Sequence, residues 1–215
     1  MGYVYATINK DTLAHICKEK GVSSEFLASK TKLNMSRLNQ WLTPTDINLP
    51  TINQAKKIAA CLHIPFAGLY MNPCDIPLKR IPNIRNMRTM SGAVSIDDSS
   101  SHSIVTCSEI FEEIKDKEIK EWIFSQQCTV LEIDDDIQNN VRKIVTENPK
   151  MIEFTGKSGT SSGDAFLIAT AMKYGLIIIT EENKDKQMKI PQISKKYGIT
   201  SVNITSLCEM EQWKF

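Results

Sequence analysis

The spacing of apolar residues changes near the middle of the chain. Over the first half they recur every three or four positions, as on one face of an amphipathic helix. With Gly21 as a stop signal and Asn34 as a cap, this spacing predicts short helices at residues 11–20, from 23 or 24 onward, 35–42, from 51 onward and 65–70. The first half is therefore predicted to be an all-α bundle.

The second half combines short apolar runs with longer amphipathic segments. The runs, at residues 104–105, 129–133, 176–180 and 202–204, predict strands, and the segments between them predict helices. Alternating strands and helices indicate an α/β fold with a mostly parallel sheet. Three prolines and a serine-rich stretch separate the halves. We therefore expect two domains, residues 1–72 and 104–215, joined by an arm and linker over residues 73–103.

Charge divides along the same boundary. Residues 1–90 carry twelve Lys and Arg against five Asp and Glu, whereas residues 91–215 carry fourteen against twenty. The basic half suits a polyanionic partner, and the acidic half does not unless metal ions offset its charge. No apolar run approaches the roughly 20 residues of a membrane span, and no signal peptide begins the sequence. We therefore expect no membrane partner and a cytoplasmic location.

Carboxylates mark two places in the acidic half. Asp164 opens an apolar helix, and Glu181 and Glu182 end the apolar strand that follows it. A helix start and a strand end can lie side by side in an α/β sheet, and clustered carboxylates repel each other unless a cation lies among them. One interpretation is a Mg²⁺ or Mn²⁺ site. The other is that Asp164 caps its helix and the glutamates begin a solvated loop.

The basic half contains two short helices joined by a tight turn, the second rich in small polar side chains. In a helix-turn-helix the second helix enters the major groove of DNA. Five side chains would then face base edges and phosphates: Asn34, Ser36, Arg37, Asn39 and Gln40. The alternative is a small helical bundle used for protein contact.

Several segments of this half carry a family resemblance. The sequences MSRLNQW at 35–41, LPTINQAKKIA at 49–59 and IPFAGLY at 64–70 resemble the Xre/Cro-like helix-turn-helix domain, over about residues 8–90. The version most similar to it precedes prokaryotic metallopeptidase-type regulators. Their H-E-x-x-H motif is absent from this sequence, so the resemblance does not imply that enzyme activity.

Residues 104–215 resemble a PIN-like nuclease domain of the toxin–antitoxin type. The matching segments are IVT at 104–106, EIFEEI at 109–114, GDAFLIA at 163–169, ITEE at 179–182 and the closing WKF. The resemblance implies that carboxylates hold Mg²⁺ or Mn²⁺ for RNA hydrolysis. It assigns Glu113, Asp164 and Glu182 as the second to fourth family acids and Thr180 as the hydroxyl before the last one. Glu112 and Glu181 are the one-residue alternatives.

The start of the PIN-like domain departs from the family pattern. The family begins with a strand that ends in an essential aspartate and is followed by two helices, for which this chain has no room. Residues 93–99 imitate the strand and its acid, so either Asp97 or Asp98 substitutes in a shortened fold, or the domain is a remnant.

These patterns lead to an expected function and an alternative. We expect a prokaryotic DNA-binding protein fused to a PIN-like ribonuclease of a toxin–antitoxin system. Its partners would be DNA, an RNA substrate, a cognate toxin or antitoxin, and a second copy in a homodimer. The alternative is a transcriptional regulator or antitoxin whose PIN-like domain is inactive and binds a partner. Trp122 and Trp213 are predicted to lie in the core.

Overall fold

The computed structural model describes residues 4–76, 91–95, 103–152 and 162–212. The chain separates into two compact units. Unit 1 comprises residues 1–87 and 142–162, and unit 2 comprises residues 88–141 and 163–215. Within the described ranges, no helix combines the length and apolar character needed to cross a membrane.

Unit 1 begins with four helices, as the apolar spacing predicted. They are α1 (Lys10–Lys20), α2 (Ser24–Thr31), α3 (Met35–Leu42) and α4 (Ile52–Cys61), followed by 3₁₀ turns at Phe66–Tyr70 and Pro73–Asp75. Local capping sets their limits. Asn34 accepts a hydrogen bond from the Arg37 amide, Thr51 and Gln54 form a capping box, and Gly21 ends α1 in the left-handed region.

The core of unit 1 lies between these helices. It contains apolar side chains that are almost completely buried: Leu13, Ile16, Leu27, Leu38, Trp41, Ile58, Leu62 and Leu69. They recur at helical spacing, so each helix buries one face and leaves the other in solvent. Burying a leucine or isoleucine side chain stabilises a fold by about 1.5–3 kcal/mol. This core therefore fixes which face of α3 points outward.

Unit 2 contains a five-stranded sheet within the described residues. Its strands are β1 (Ser91–Ser95), β2 (Ser103–Cys107), β3 (Thr129–Leu131), β4 (Ile177–Thr180) and β5 (Ser201–Val202), in the order β3-β2-β1-β4-β5. Four strands run in one direction, and β1 runs against them between β2 and β4. The prediction of a mostly parallel sheet is correct for those four strands and wrong for the central one.

The central strand corrects one of our predictions. Ser91–Ser95 was predicted to be part of a linker. Instead Ala93 pairs with Val105 on one side and with Ile178 on the other. Only seven residues separate β1 from β2, whereas a parallel crossover needs about a dozen or more. The short connection is consistent with β2 returning antiparallel to β1.

Helices flank this sheet. They are α5 (Ser108–Glu113), α6 (Lys117–Ser125), α7 (Asp135–Glu147), α8 (Gly163–Tyr174), α9 (Ile190–Lys196) and α10 (Ile204–Met210). The division between the units falls within α7. Helix α8 packs against α5, β1, β2 and β4, and its residues from Ala165 to Ala171 are buried. A helix whose residues are buried on most sides packs inside a core. The packing of α8 therefore fixes its N-terminus beside α5.

Candidate functional site

In unit 1, α2 and α3 are two short helices joined by a tight turn, as the sequence predicted. Three residues separate them, beginning with Lys32, whose φ of 59° turns the chain sharply after α2. Leu38 and Trp41, which are 0% and 2% exposed, fix α3 against the core. Four of the five predicted DNA-contacting residues are exposed, and Gln40 is half-buried: Asn34, Ser36, Arg37, Asn39 and Gln40.

An open cavity of about 720 Å³ lies beside α3. Four of the predicted contact residues line it, namely Asn34, Ser36, Arg37 and Gln40, and Asn39 does not. The loop after α3 supplies further lining from residues 47–49. The cavity therefore has both donors and acceptors of hydrogen bonds and an apolar wall.

The loop after α3 is fixed by a residue that the sequence did not single out. Lys10 is only 8% exposed, and its ammonium donates hydrogen bonds to the backbone carbonyls of Gln40 (3.3 Å) and Asp46 (2.5 Å). A buried lysine is rare unless its charge is satisfied, as it is here. Lys10 therefore joins the last turn of α3 to the loop.

In unit 2, Glu113 lies against the start of α8. Its Oε1 accepts a hydrogen bond from the Gly163 amide at 3.1 Å. A Cβ on Gly163 would lie 2.6 Å from Cδ1 of Ile110 and 3.1 Å from Cδ of Glu113, so glycine permits this approach. Asp164, which is half-buried, is the next residue. Two of the predicted acids are thus placed at the first turn of one helix, whose positive dipole end favours negative charge.

The glutamates after β4 cap two other helices. The side chain of Glu182 is 4% exposed, its Oε1 lies 2.9 Å from the Lys189 ammonium, and its Oε2 accepts from the Ile190 amide at 2.9 Å. Oε1 of Glu181 accepts from the Ile204 amide at 2.9 Å. Glu182 therefore caps α9 and Glu181 caps α10, which gives each a structural role.

The structure also describes Thr180 and Glu112, two further residues that the resemblance assigned to the site. Thr180 is 4% exposed, and its Oγ1 accepts a hydrogen bond from the Glu182 amide at 3.2 Å. Glu112, the one-residue alternative to Glu113, is exposed. Asp97 and Asp98 lie outside the described residues. Among the residues that are described, no group of three or more His, Cys, Asp or Glu side chains is arranged to hold a metal ion.

The start of α5 is negatively charged and buried. Burial raises the pKa of the Cys107 thiol to about 12, and the charges of Glu109 and Glu113 add to that increase. Glu109 is 7% exposed and lies one helical turn before Glu113. Sequence reasoning missed Glu109, although its spacing from Glu113 was a signal that both face the same side of α5.

One aromatic side chain is placed differently from expectation. Trp122 is 54% exposed, so the prediction that it lies in the core is wrong, because Ile123 rather than Trp122 faces inward from α6. Phe124 is 63% exposed and packs edge-to-face on Phe111 at 5.2 Å between ring centroids. Trp213 lies outside the described residues.

Comparison with known proteins identifies one family. A family model described as "Domain of unknown function (DUF4411)" matches residues 95–215, which is more than half of the chain. The matched region includes Glu113, Asp164, Thr180 and Glu182. Neither the curated proteins nor the solved structures include a match to the chain.

Proposed function

The chain belongs to the DUF4411 family, and from the geometry of its two units we propose that it binds DNA through α3 and carries a PIN-like, metal-dependent ribonuclease unit. The observation that carries the DNA-binding function is the outward face of α3. Leu38 and Trp41 anchor the helix on the core, whereas Ser36, Arg37 and Asn39 are exposed. A helix presented in this way fits the major groove of B-DNA.

The side chains on this face are available for a ligand. Within the described part of the chain, the Arg37 guanidinium makes no hydrogen bond or ion pair. Arginine binds guanine through two hydrogen bonds, and asparagine or glutamine binds adenine in the same manner. The excess of Lys and Arg over Asp and Glu in residues 1–90 would add the sequence-independent attraction to phosphates.

Selection from a random pool of duplexes tests the DNA-binding function. The full chain should enrich a defined sequence and bind it at least tenfold more tightly than a scrambled duplex of the same composition. Recovery of no consensus, with equal binding to both duplexes at physiological salt, would contradict specific recognition. Enrichment of one sequence would indicate contacts to base edges, because contacts to phosphates alone do not specify a sequence.

The ribonuclease is the second function, and the approach of Glu113 to the start of α8 favours it. Carboxylate oxygens are the donors that Mg²⁺ and Mn²⁺ prefer, and Glu113 accepts a hydrogen bond from the amide of Gly163, the residue before Asp164. With Asp97 or Asp98 they would hold the ion. The ion would supply an activated water and stabilise charge on the scissile phosphate. Glu182, whose carboxylate is engaged by Lys189 and Ile190, would keep α9 in place beside the site.

A single-stranded RNA incubated with the full chain and Mn²⁺ tests this second function. Cleavage should be lost in Asp164→Asn and retained in Asp185→Asn, which removes an exposed carboxylate from the loop after β4. Binding of Mn²⁺, followed by calorimetry, should weaken in the first variant and not in the second. Absence of cleavage by the unaltered chain, or equal cleavage by both variants, would favour the alternative of a regulator or antitoxin with an inactive, partner-binding PIN-like unit.

A further inference from the structure

Ile47 is the most exposed large apolar side chain among the described residues. It is 92% exposed, whereas the other exposed large apolar side chains of the described ranges reach 63% at most. It lies five residues after the end of α3, in the loop that lines the cavity beside Arg37. A single exposed isoleucine is ordinary on a protein surface, so its exposure by itself indicates nothing.

The loop around Ile47 is held in one shape on both sides. Oδ1 of Asp46 accepts hydrogen bonds from the Asn48 backbone amide (2.7 Å) and side-chain amide (2.9 Å). The hydrogen bonds from Asn48 and the charge of Lys10 hold the pKa of Asp46 below its ordinary value, so this carboxylate is charged at neutral pH. Lys10 also binds the Asp46 carbonyl, immediately before Ile47. Ile47 is therefore displayed by a turn that the Asp46–Asn48 hydrogen bonds close and that Lys10 anchors at Asp46.

Lys10 also fixes the loop that carries Ile47 relative to α3. Lys10 also donates to the Gln40 carbonyl in the last turn of that helix, so the positions of the helix end and of the loop are coupled. Ile47 and Arg37 both line the same cavity, together with Ser36 and Gln40. An apolar side chain is thus held at a fixed place beside side chains suited to base edges.

We propose that Ile47 packs against the C5 methyl group of a thymine in the duplex that α3 binds. The thymine methyl is the apolar feature of the major groove, and apolar side chains are what recognise it. Duplex DNA is the occupant that the surrounding residues favour, because they combine a cationic arginine with asparagine, glutamine and serine. This inference rests on the proposed DNA-binding function and adds a base identity to it.

Replacement of thymine by deoxyuridine tests the inference, because it removes the methyl group and no hydrogen-bonding atom. In the duplex enriched by selection, each thymine is replaced in turn and binding is measured by fluorescence anisotropy. The unaltered chain should lose roughly fourfold in affinity at one position, as expected for one methyl group. In Ile47→Ala the ratio between thymine and deoxyuridine at that position should be close to one.

Two variants serve as controls. Ile47→Val keeps a branched apolar side chain and should retain most of the preference for thymine. Ile204→Ala truncates another exposed isoleucine, 51% exposed at the start of α10, and should leave binding unchanged. Ile47 has little packing to lose, so Ile47→Ala should unfold at the same temperature as the unaltered chain.

The failure of this inference can be told apart from failure of the DNA-binding function. If the selected duplex binds tightly but deoxyuridine has the same effect on the unaltered chain and on Ile47→Ala, Ile47 does not read a methyl group and DNA binding stands. A selected sequence without thymine would overturn the inference in the same way. If selection yields no sequence at all, both proposals fail, and Ile47 then belongs to a surface for protein contact.

Discussion

The buried ammonium of Lys10 donates a hydrogen bond to the backbone carbonyl of Asp46, 36 residues further along the chain. A second hydrogen bond from the same ammonium reaches the Gln40 carbonyl. One side chain at the start of α1 thus satisfies the end of α3 and the loop that follows it. This explains how a charged residue can lie inside a small helical core, since its burial is offset by two carbonyls and a carboxylate 3.9 Å away.

Removing this charge should destabilise unit 1. Lys10→Met keeps most of the side-chain volume but leaves the Gln40 and Asp46 carbonyls without their donor, which we expect to lower the free energy of unfolding by about 1–3 kcal/mol. Urea unfolding followed by circular dichroism measures this. Lys18→Met, at an exposed position of α1, is the matched control and should stay within about 0.5 kcal/mol. Equal effects of both substitutions would contradict the assigned role of Lys10.

Adding one methyl group at Gly163 should disturb the acidic site. Gly163 is the first residue of α8, where the preference of a helix interior for alanine over glycine does not apply in full, and the Cβ of an alanine would lie 2.6 Å from Cδ1 of Ile110. Overpacking of this kind costs about 1–3 kcal/mol, so we expect a net loss of stability in Gly163→Ala. Combining it with Ile110→Val, which removes that Cδ1, should recover part of the loss. Stabilisation by Gly163→Ala alone would show that α5 and α8 leave room for a Cβ at this position, contrary to the 2.6 Å distance.

Substitution of Glu182 distinguishes a structural role of its carboxylate from a role as a metal ligand. Glu182→Gln keeps an acceptor for the Ile190 amide but removes the charge that pairs with Lys189, and should cost about 1–2 kcal/mol of stability. Glu181→Gln, at an exposed cap of α10, should cost less. Unchanged stability of Glu182→Gln together with loss of Mn²⁺ binding would instead make Glu182 a ligand, as the family resemblance implies.

The buried thiols give a prediction about pH. Burial raises the pKa of Cys17 from 9.0 to about 11 and that of Cys107 to about 12. At pH 8, iodoacetamide should therefore label exposed Cys74 well before these two cysteines, and denaturation in urea should abolish the difference. Labelling of Cys17 or Cys107 as fast as Cys74 would contradict their burial.

The same raised pKa values determine the effect of alkaline pH on stability. Well below pH 9 both thiols are protonated in the folded and the unfolded chain, so they cause no pH dependence there. Between about pH 9 and 11 the unfolded chain releases protons that the folded chain keeps, and the free energy of unfolding should fall as pH rises. Replacing Cys17 by alanine should reduce this slope.

Local signals made the helices of unit 1 predictable. Asn34 and Thr51 cap their helices through contacts within three residues, and such contacts can be inferred from neighbouring residues alone. The central strand β1 was not predictable in this way, because Gly92 and Ala93 have little strand preference of their own. Their conformation comes from pairing with β2 and β4 on both sides.

The acidic site was only partly predictable for a similar reason. The sequence places Glu181 and Glu182 together at the end of β4, but where each carboxylate points depends on α9 and α10, which begin later in the chain. The pairing of Glu113 with Gly163 spans 50 residues, so no local signal indicates it. Lys10 carried no signal of burial at all, because its partners are backbone carbonyls.

Binding of Arg37→Ala to the selected duplex measures whether α3 is the helix that contacts DNA, as proposed. Anisotropy titrations at several salt concentrations should show a loss of about 1–3 kcal/mol in binding free energy and weaker discrimination against a scrambled duplex. Lys18→Ala removes one positive charge elsewhere in unit 1 and should leave that discrimination intact. Unaltered affinity, salt dependence and discrimination in Arg37→Ala would contradict the assignment of α3 as the recognition helix.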